Sequence, residues 1–189
     1  MKKLISTCLL VGGFAFSAVT LTSCDRIEEA VEDVAIPVPF DIPLSIEQKI
    51  PFASVKTDSY LAYPAIDLDI DLNAKIKEEY PKLSINNLKS AKLSSFNIEL
   101  KESLLGGDLS AVQNARVYIK TPDLEKILVA TAENNTSGDK IVFTPTDAEL
   151  LPYFQSTKNS LILEIQGRKL TLDEFTININ PSFKISVGF

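Results

Sequence analysis

The chain has 189 residues, of which 45% are hydrophobic and 23% charged, and its formal net charge is −6 at pH 7. It contains no histidine, which excludes imidazole acid–base catalysis, a Ser-His-Asp triad and histidine metal ligands. The acidic balance argues against nucleic acid or anionic lipid head groups as partners.

Residues 1–23 predict a cleaved export signal. Lys2 and Lys3 give a cationic start, an apolar run extends to about residue 21, and small residues precede Cys24. Serine, threonine and glycine dilute that run, so it matches a spanning helix of roughly 20 apolar residues poorly. Removing the two lysines from 19 basic residues leaves 17 against 25 acidic ones, a net charge of −8 for the mature chain.

The sequence Leu21-Thr22-Ser23-Cys24 resembles the lipobox of bacterial lipoproteins, in which a branched apolar residue and two small residues precede cysteine. The resemblance is limited to residues 1–24. It implies that the Cys24 thiol receives a diacylglyceryl group, that the chain is cut before Cys24 and that the new amino terminus is acylated. Two or more acyl chains give stable membrane attachment, at about 0.8 kcal/mol per buried methylene. The alternative is an ordinary secretory signal cut elsewhere, with Cys24 a free thiol.

Residues 24–44 predict a tether between the lipidated cysteine and the folded domain. Residues 25–35 hold five acids against Arg26, and they form either a short acidic amphipathic helix or a solvated arm. Residues 36–43 contain three prolines, each of which removes a hydrogen-bond donor and favours extended geometry. Together with Leu44 this stretch predicts a semi-rigid spacer of nine residues, about 28 Å long.

The acidic residues after Cys24 resemble the signal by which some Gram-negative bacteria send lipoproteins to the cell surface. In other lineages an aspartate in the position of Asp25 resembles an inner-membrane retention signal. The two resemblances point in opposite directions. We expect anchoring in the outer membrane, on either its periplasmic or its cell-surface face.

From Ser45 onward the sequence predicts half-buried strands. Apolar and polar residues alternate in 66–72, 96–101 and 116–120, and turn residues separate further apolar runs. In the final segment, Phe175–Phe189, apolar residues occupy every second position on both sides of Pro181. About eight or nine strands predict an all-β, antiparallel β-sandwich over residues 45–189. Without a cysteine besides Cys24 in the mature chain, this domain must rely on its core rather than on a disulfide.

The same domain predicts only one or two short helices. Asn73–Tyr80 begins with a capping asparagine, contains helix-forming residues and stops at Pro81. Thr146–Phe154 begins with a hydroxyl cap followed by an acid.

Three alternating aspartates have the spacing of a calcium loop. Asp67, Asp69 and Asp71 precede Glu78 as the acids of an EF-hand do, but Leu72 stands where that loop needs glycine. Their alternation with apolar residues predicts a strand with carboxylates about 6.6 Å apart on one face. We therefore expect an acidic stripe that discourages edge pairing, and the three residues are only weak metal candidates. No metal or other cofactor is expected.

No motif assigns catalytic residues to this chain. Gly106-Gly107 is an isolated turn rather than a phosphate loop, and the acids occupy polar positions of predicted strands and helices. A carboxylate pair acting on glycosides is the remaining enzymatic arrangement. The main candidates for surface contact are Tyr60, Tyr63, Tyr118 and Tyr153.

We therefore expect a non-enzymatic envelope lipoprotein, bound to the membrane through Cys24 and acting as an interaction or structural module. It would meet an envelope protein partner through a sheet face or through its end loops. The alternative is a carrier of a small apolar ligand or lipid, which needs a cavity of several hundred Å³ between the sheets.

Overall fold

The computed structural model describes residues 38–54, 56–68, 71–156 and 158–188. These residues form an antiparallel β-sandwich, which confirms the predicted all-β fold. The described part contains ten strands, against the eight or nine expected, and two short helices. The strands are β1 (Val38–Pro43), β2 (Ile46–Ser54), β3 (Leu61–Ala62), β4 (Ile66–Leu68), β5 (Leu88–Ser103), β6 (Val112–Lys120), β7 (Ile127–Ala132), β8 (Lys140–Pro145), β9 (Asn159–Gly167) and β10 (Thr171–Val187), and the helices are α1 (Leu72–Glu79) and α2 (Leu151–Phe154).

The strands are arranged in two layers that share β8. The first layer holds β1 and β2 beside β10, followed by β5 and the first half of β8. The second layer holds the end of β8, then β7, β6 and β9, with β3 and β4 on the outer side of β9. A strand that changes layers in this way forms a corner of the sandwich.

The core lies between the two layers and follows the period-two pattern of the sequence. Every second residue of β9 is buried, and so is every second residue through most of β10. In β5 and β6 the buried residues likewise lie mainly on the one side of the strand that faces the other layer. In β10 the buried phase continues through the proline, as the sequence predicts; its buried residues are Phe175, Ile177, Ile179, Pro181, Phe183, Ile185 and Val187. Phe189, the last residue of the predicted phase, lies outside the described residues.

The expected proline spacer is wrong over Val38–Pro43, because these residues form β1 and pair with the end of β10. Ile42 is buried, and the ring of Phe40 lies 5.3 Å from that of Tyr80, edge to face. The register of β1 on β10 continues into β2 without a shift. The domain therefore begins by Val38 rather than at Ser45. The acidic segment that follows Cys24 lies outside the described residues.

Pro181 explains why this edge is divided into two strands. The Leu44 nitrogen donates to the Pro181 oxygen, 2.9 Å away, but proline has no N–H to return the bond. Hydrogen bonding alternates along an antiparallel ladder. In this edge, the backbone N–H and C=O groups of even-numbered residues point toward β10, and those of odd-numbered residues point away from it. Pro39, Pro43 and Pro51 are all odd-numbered, so each proline lacks its N–H on the free side of the edge, where prolines are tolerated.

Both helices form, but with different starts from those predicted. α1 begins at Leu72, and its cap is Asp71, whose Oδ1 accepts from the Ala74 nitrogen at 2.8 Å. The expected cap, Asn73, instead accepts from the Ile85 nitrogen at 3.1 Å. α2 covers only the last turn of the predicted 146–154 segment. In the described residues neither helix has the length and apolar character needed to cross a bilayer.

Candidate interaction face

The outer face of the second layer gathers two of the four tyrosines singled out from the sequence. Tyr118 projects from β6 on the phase opposite to the buried Val117 and Ile119, and Tyr60 lies just before β3. Arg116 lies over the Tyr60 ring, with its Cζ 3.9 Å from the ring centroid. Lys126 lies over the Tyr118 ring, with its Nζ at 4.3 Å. We call Tyr60, Arg116, Tyr118, Lys126 and Glu164 the tyrosine face.

Glu164 lies beside Arg116 in the sheet and is bonded to Lys126. It lies directly opposite Arg116 in the β6–β9 ladder, and its Oε1 accepts from the Lys126 Nζ at 2.5 Å. The Glu164 side chain is only 14% exposed. Its hydrogen bond to Lys126 raises the pKa of that lysine, which therefore stays cationic at neutral pH. Cation–ring contacts of this kind contribute about 0.5–1 kcal/mol each at exposed sites, so they favour this arrangement of the face modestly.

An open cleft of about 640 Å³ borders this face where β6 ends and β9 begins. Its lining includes Lys120 and Lys158, with Asn159 and Ser160 at the start of β9. Asn159 is 8% exposed, and its side-chain oxygen has no hydrogen-bond partner among the described residues. The tyrosine face and the cleft together place four cationic side chains on one side of an acidic chain.

The remaining two tyrosines have structural roles. Tyr63 closes the sandwich on the side away from β8, because its hydroxyl donates to the Ala53 oxygen at 2.9 Å and accepts from the Ala53 nitrogen at 3.1 Å. Tyr153, in α2, donates from its hydroxyl to the Glu125 oxygen at 2.7 Å. Neither belongs to the tyrosine face.

The two described aspartates considered for calcium have different structural roles. Asp67 lies in β4, where its Oδ1 accepts from the Ser160 hydroxyl at 3.0 Å. Asp71 caps α1 instead of continuing a strand, so the predicted alternation does not extend to Leu72. Asp69 lies outside the described residues. No group of three or more acidic or cysteine side chains in the described residues is placed to hold a metal ion.

Two spaces lie between the layers. A cavity of about 20 Å³ in the interior is lined by residues from both layers, including Phe52 and Ile165, and it is just large enough for one water molecule. A cleft of about 360 Å³ lies at the edge between β2 and β4, and its lining includes Ile50, Tyr63 and Leu163. Sites for small organic ligands measure about 300–1,000 Å³.

Carboxyl groups with altered pKa values are all shifted downward in the described residues. Lys140 lowers the pKa of Glu99, and the Ser110 hydroxyl lowers that of Asp108. The Ser137 hydroxyl does the same for Asp139. Burial favours the neutral acid at Glu149 and Asp173, but hydrogen bonds outweigh it at both and lower the pKa, to about 2 for Asp173. A carboxyl that donates a proton in glycoside hydrolysis needs the opposite shift.

Comparisons of the chain with protein-family models, curated proteins and solved structures gave no match. The site therefore has to be interpreted from its own geometry. The polar phase of β6 is visible in the sequence, but Lys126 and Glu164 were not predicted as site residues. Only the pairing of β6 with β9 and the turn after β6 bring them to Tyr118.

Proposed function

We propose that the protein is a membrane-anchored envelope lipoprotein whose β-sandwich is a non-enzymatic interaction module. The observation that carries this proposal is the tyrosine face, an ordered set of aromatic and cationic side chains on the outside of the second layer. Aromatic and arginine side chains supply much of the binding energy at protein interfaces. The attachment at Cys24 follows from the lipobox resemblance.

The charge of the tyrosine face and its neighbouring cleft favours an acidic partner surface. Arg116 and Lys126 lie on the face, and Lys120 and Lys158 line the cleft. Glu164 and Asp67 are the acids beside them. A local excess of cations on a mature chain of 17 basic and 25 acidic residues, net charge −8, attracts acidic surfaces at this side and repels them elsewhere.

The alternative, a carrier of a small apolar ligand, receives less support. Such a carrier needs an apolar space of several hundred Å³ in the interior between the layers. The interior cavity measures about 20 Å³, and the cleft of about 360 Å³ between β2 and β4 lies at the edge of the layers, where Gln48, Lys49 and Asp67 belong to its lining. Catalysis by a carboxylate pair receives less support as well, because the altered carboxyl pKa values favour the ionised form.

Photo-crosslinking in intact cells tests the proposal. A photoreactive phenylalanine replaces Tyr118, and in a matched control it replaces Lys184, which is exposed on the outer face of the first layer. We expect position 118 to trap one envelope protein and position 184 to trap none, because only the first lies on the tyrosine face. A Cys24→Ala chain should lose this product because it is no longer held at the membrane.

Two outcomes would count against the proposal. Equal trapping at both positions would mean that the tyrosine face has no special role. Hydrolytic turnover by the purified protein, abolished by replacing a carboxylate, would make the protein an enzyme.

A further inference from the structure

The cleft of about 640 Å³ beside the tyrosine face lies on three neighbouring strands. Ser160 of β9 pairs with Lys120 of β6 on one side and with Asp67 of β4 on the other. The Ser160 hydroxyl donates to Asp67 at 3.0 Å, which adds a side-chain contact between β9 and β4. The volume of the cleft falls within the range of about 300–1,000 Å³ for sites of small organic ligands. We call it the lysine cleft.

Two exposed lysines line the cleft without an acidic partner. Lys120 and Lys158 take part in no salt bridge among the described residues, whereas seven other lysines do. Asp67 is the only acid in the described lining. Each ammonium group therefore has N–H donors available to an anion, and hydrogen bonds between two ionised groups are stronger than those between neutral ones.

The Asn159 carboxamide is a second group in the lining that lacks a partner. The residue is 8% exposed, and its side-chain oxygen is buried without a hydrogen-bond partner in the described part of the chain. Buried polar groups normally have a partner, and a ligand that supplies one removes the cost of leaving this oxygen unpaired. A carboxamide holds an acceptor and a donor on one planar group, and a peptide group offers the complementary N–H and C=O.

The remaining lining favours a peptide over a sugar acid, which would also bring a carboxylate. It is mainly aliphatic, and its described part includes no aromatic ring on which a sugar could stack. Aliphatic surface suits the carbon atoms of peptide side chains, whereas the hydroxyls of a sugar ring would lose water there without gaining partners. The aliphatic lining residues are Ala65, Leu68, Pro122 and Ile162.

We propose that the lysine cleft binds an acidic peptide segment, with its carboxylate on Lys120 and Lys158 and a neighbouring peptide group on the Asn159 carboxamide. The carboxylate belongs to an acidic side chain or to the carboxyl end of the peptide, since both place a carboxylate beside a peptide N–H. Lys120 follows Tyr118 by two residues in β6 and lies about 6.6 Å from it on the same face, so one segment can contact both. The inference rests on the proposed function, because it names the part of the protein partner that enters the cleft.

NMR titration of the full mature chain measures this binding. The isotope-labelled protein carries Cys24→Ser, so that acyl chains do not interfere. The probe is a short alanine peptide with one aspartate, blocked at both ends, and in the comparison peptide asparagine replaces the aspartate. We expect the aspartate peptide to bind about fivefold more tightly, because two lysines meet its charge. A third peptide, with asparagine and a free carboxyl end, binds more tightly than the blocked asparagine peptide if a chain end also serves.

Variants locate the binding in the cleft. Lys120→Gln and Lys158→Gln should each weaken binding of the aspartate peptide about threefold. Lys184→Gln, the same charge change on the outer face of the first layer, should leave it unchanged. Asn159→Leu should weaken binding without lowering the melting temperature, because the buried oxygen pairs with no described group, whereas a purely structural role would lower that temperature. The two lysine variants decide the question if Asn159→Leu does not fold.

Three results would overturn the proposal. Equal affinity for all three peptides would mean that no carboxylate is recognised. Equal weakening by Lys184→Gln would mean that only the net charge matters. Tighter binding of oligogalacturonate or of inorganic phosphate than of the aspartate peptide would make the cleft a sugar-acid site or the site of an adventitious ion only.

Photo-crosslinking in cells distinguishes failure of this proposal from failure of the proposed function. A chain with Lys120→Gln and Lys158→Gln should give about threefold less product from the photoreactive residue at position 118. Unchanged product would remove the cleft from the interface and leave the tyrosine face as its site. Absence of product when both lysines are present would overturn the proposed function, and the peptide titration would still decide whether the cleft binds acidic peptides.

Discussion

Single side chains complete hydrogen bonds that the strands of this sandwich leave open. Ala53 lies on the free edge of β2, where its N–H and C=O face away from β10, and the Tyr63 hydroxyl satisfies both. Tyr63 is itself held to β9, because its nitrogen donates to the Leu163 oxygen at 2.8 Å. Burial raises the pKa of Tyr63, so the hydroxyl keeps its proton and remains a donor. One phenol therefore connects the two layers opposite the β8 corner.

Replacing Tyr63 with phenylalanine should destabilise the domain by about 1–2 kcal/mol, because two backbone groups lose their partner while the ring remains. Urea unfolding of the two proteins measures the difference. Tyr60→Phe is the matched control, since no described hydrogen bond involves its hydroxyl, and it should change stability by less than about 0.5 kcal/mol. Equal losses in both variants would remove the connecting role assigned to the Tyr63 hydroxyl.

Asp173 should make stability depend on pH in the acidic range. Its pKa in the folded protein is about 2, below its ordinary value of 3.8, so the ionised form stabilises the fold. That contribution is complete above about pH 4 and is lost as the pH falls through about 2. Melting temperatures of the wild type should therefore fall between these values more steeply than those of Asp173→Asn. Asp123→Asn, at an exposed loop position, should keep the wild-type slope; identical slopes in all three proteins would contradict the assignment.

At the scale of elements, β1 differs most from the sequence prediction. Three prolines in residues 36–43 indicated a spacer, because proline removes a donor that most strand positions need. At Pro39 and Pro43 the donors are missing on the free side of an edge, and β10 pairs with the other side. The alternation of Phe40 and Ile42 with the prolines was visible in the sequence, but nothing in the sequence indicated that β10 lay beside it. The local pattern therefore did not identify β1 as a strand, because its pairing partner lies far along the chain.

Shortening the chain tests whether β1 belongs to the domain. A chain beginning at Val38 should unfold with the stability of the mature protein. A chain beginning at Ser45 should lose about 3–5 kcal/mol, because Phe40 and Ile42 no longer cover the core and half of β10 loses its edge partner. Urea denaturation compares the three proteins. Equal stability of the two shortened chains would restore the spacer interpretation.

Asp71, one of the aspartates with calcium-loop spacing, is a second place where the local pattern did not identify the structure. Strict alternation extended the predicted strand to Leu72, but Asp71 caps a helix instead. Aspartate is a favoured cap because its side-chain oxygen accepts from the backbone two or three residues ahead. The sequence therefore allowed two uses of Asp71, and alternation alone could not choose between them.

At the scale of the whole molecule, the all-β class and the buried side of most strands could be predicted from the sequence. A strand buried on one face has apolar residues at every second position, and that alternation is visible in the sequence. The tyrosine face did not follow, because Tyr60, Arg116, Lys126 and Glu164 are brought together by strand pairing between distant segments. The small interior cavity, about 20 Å³, follows from neither composition nor length.

The central claim is that an acylated Cys24 attaches this packed sandwich to an envelope membrane. Mass spectrometry of the amino-terminal peptide from the native protein tests the claim most directly. The account predicts a mature chain that begins at Cys24 and carries a diacylglyceryl thioether with an acylated amino group. A chain cut at another residue, or one beginning with an unmodified Cys24, would contradict it.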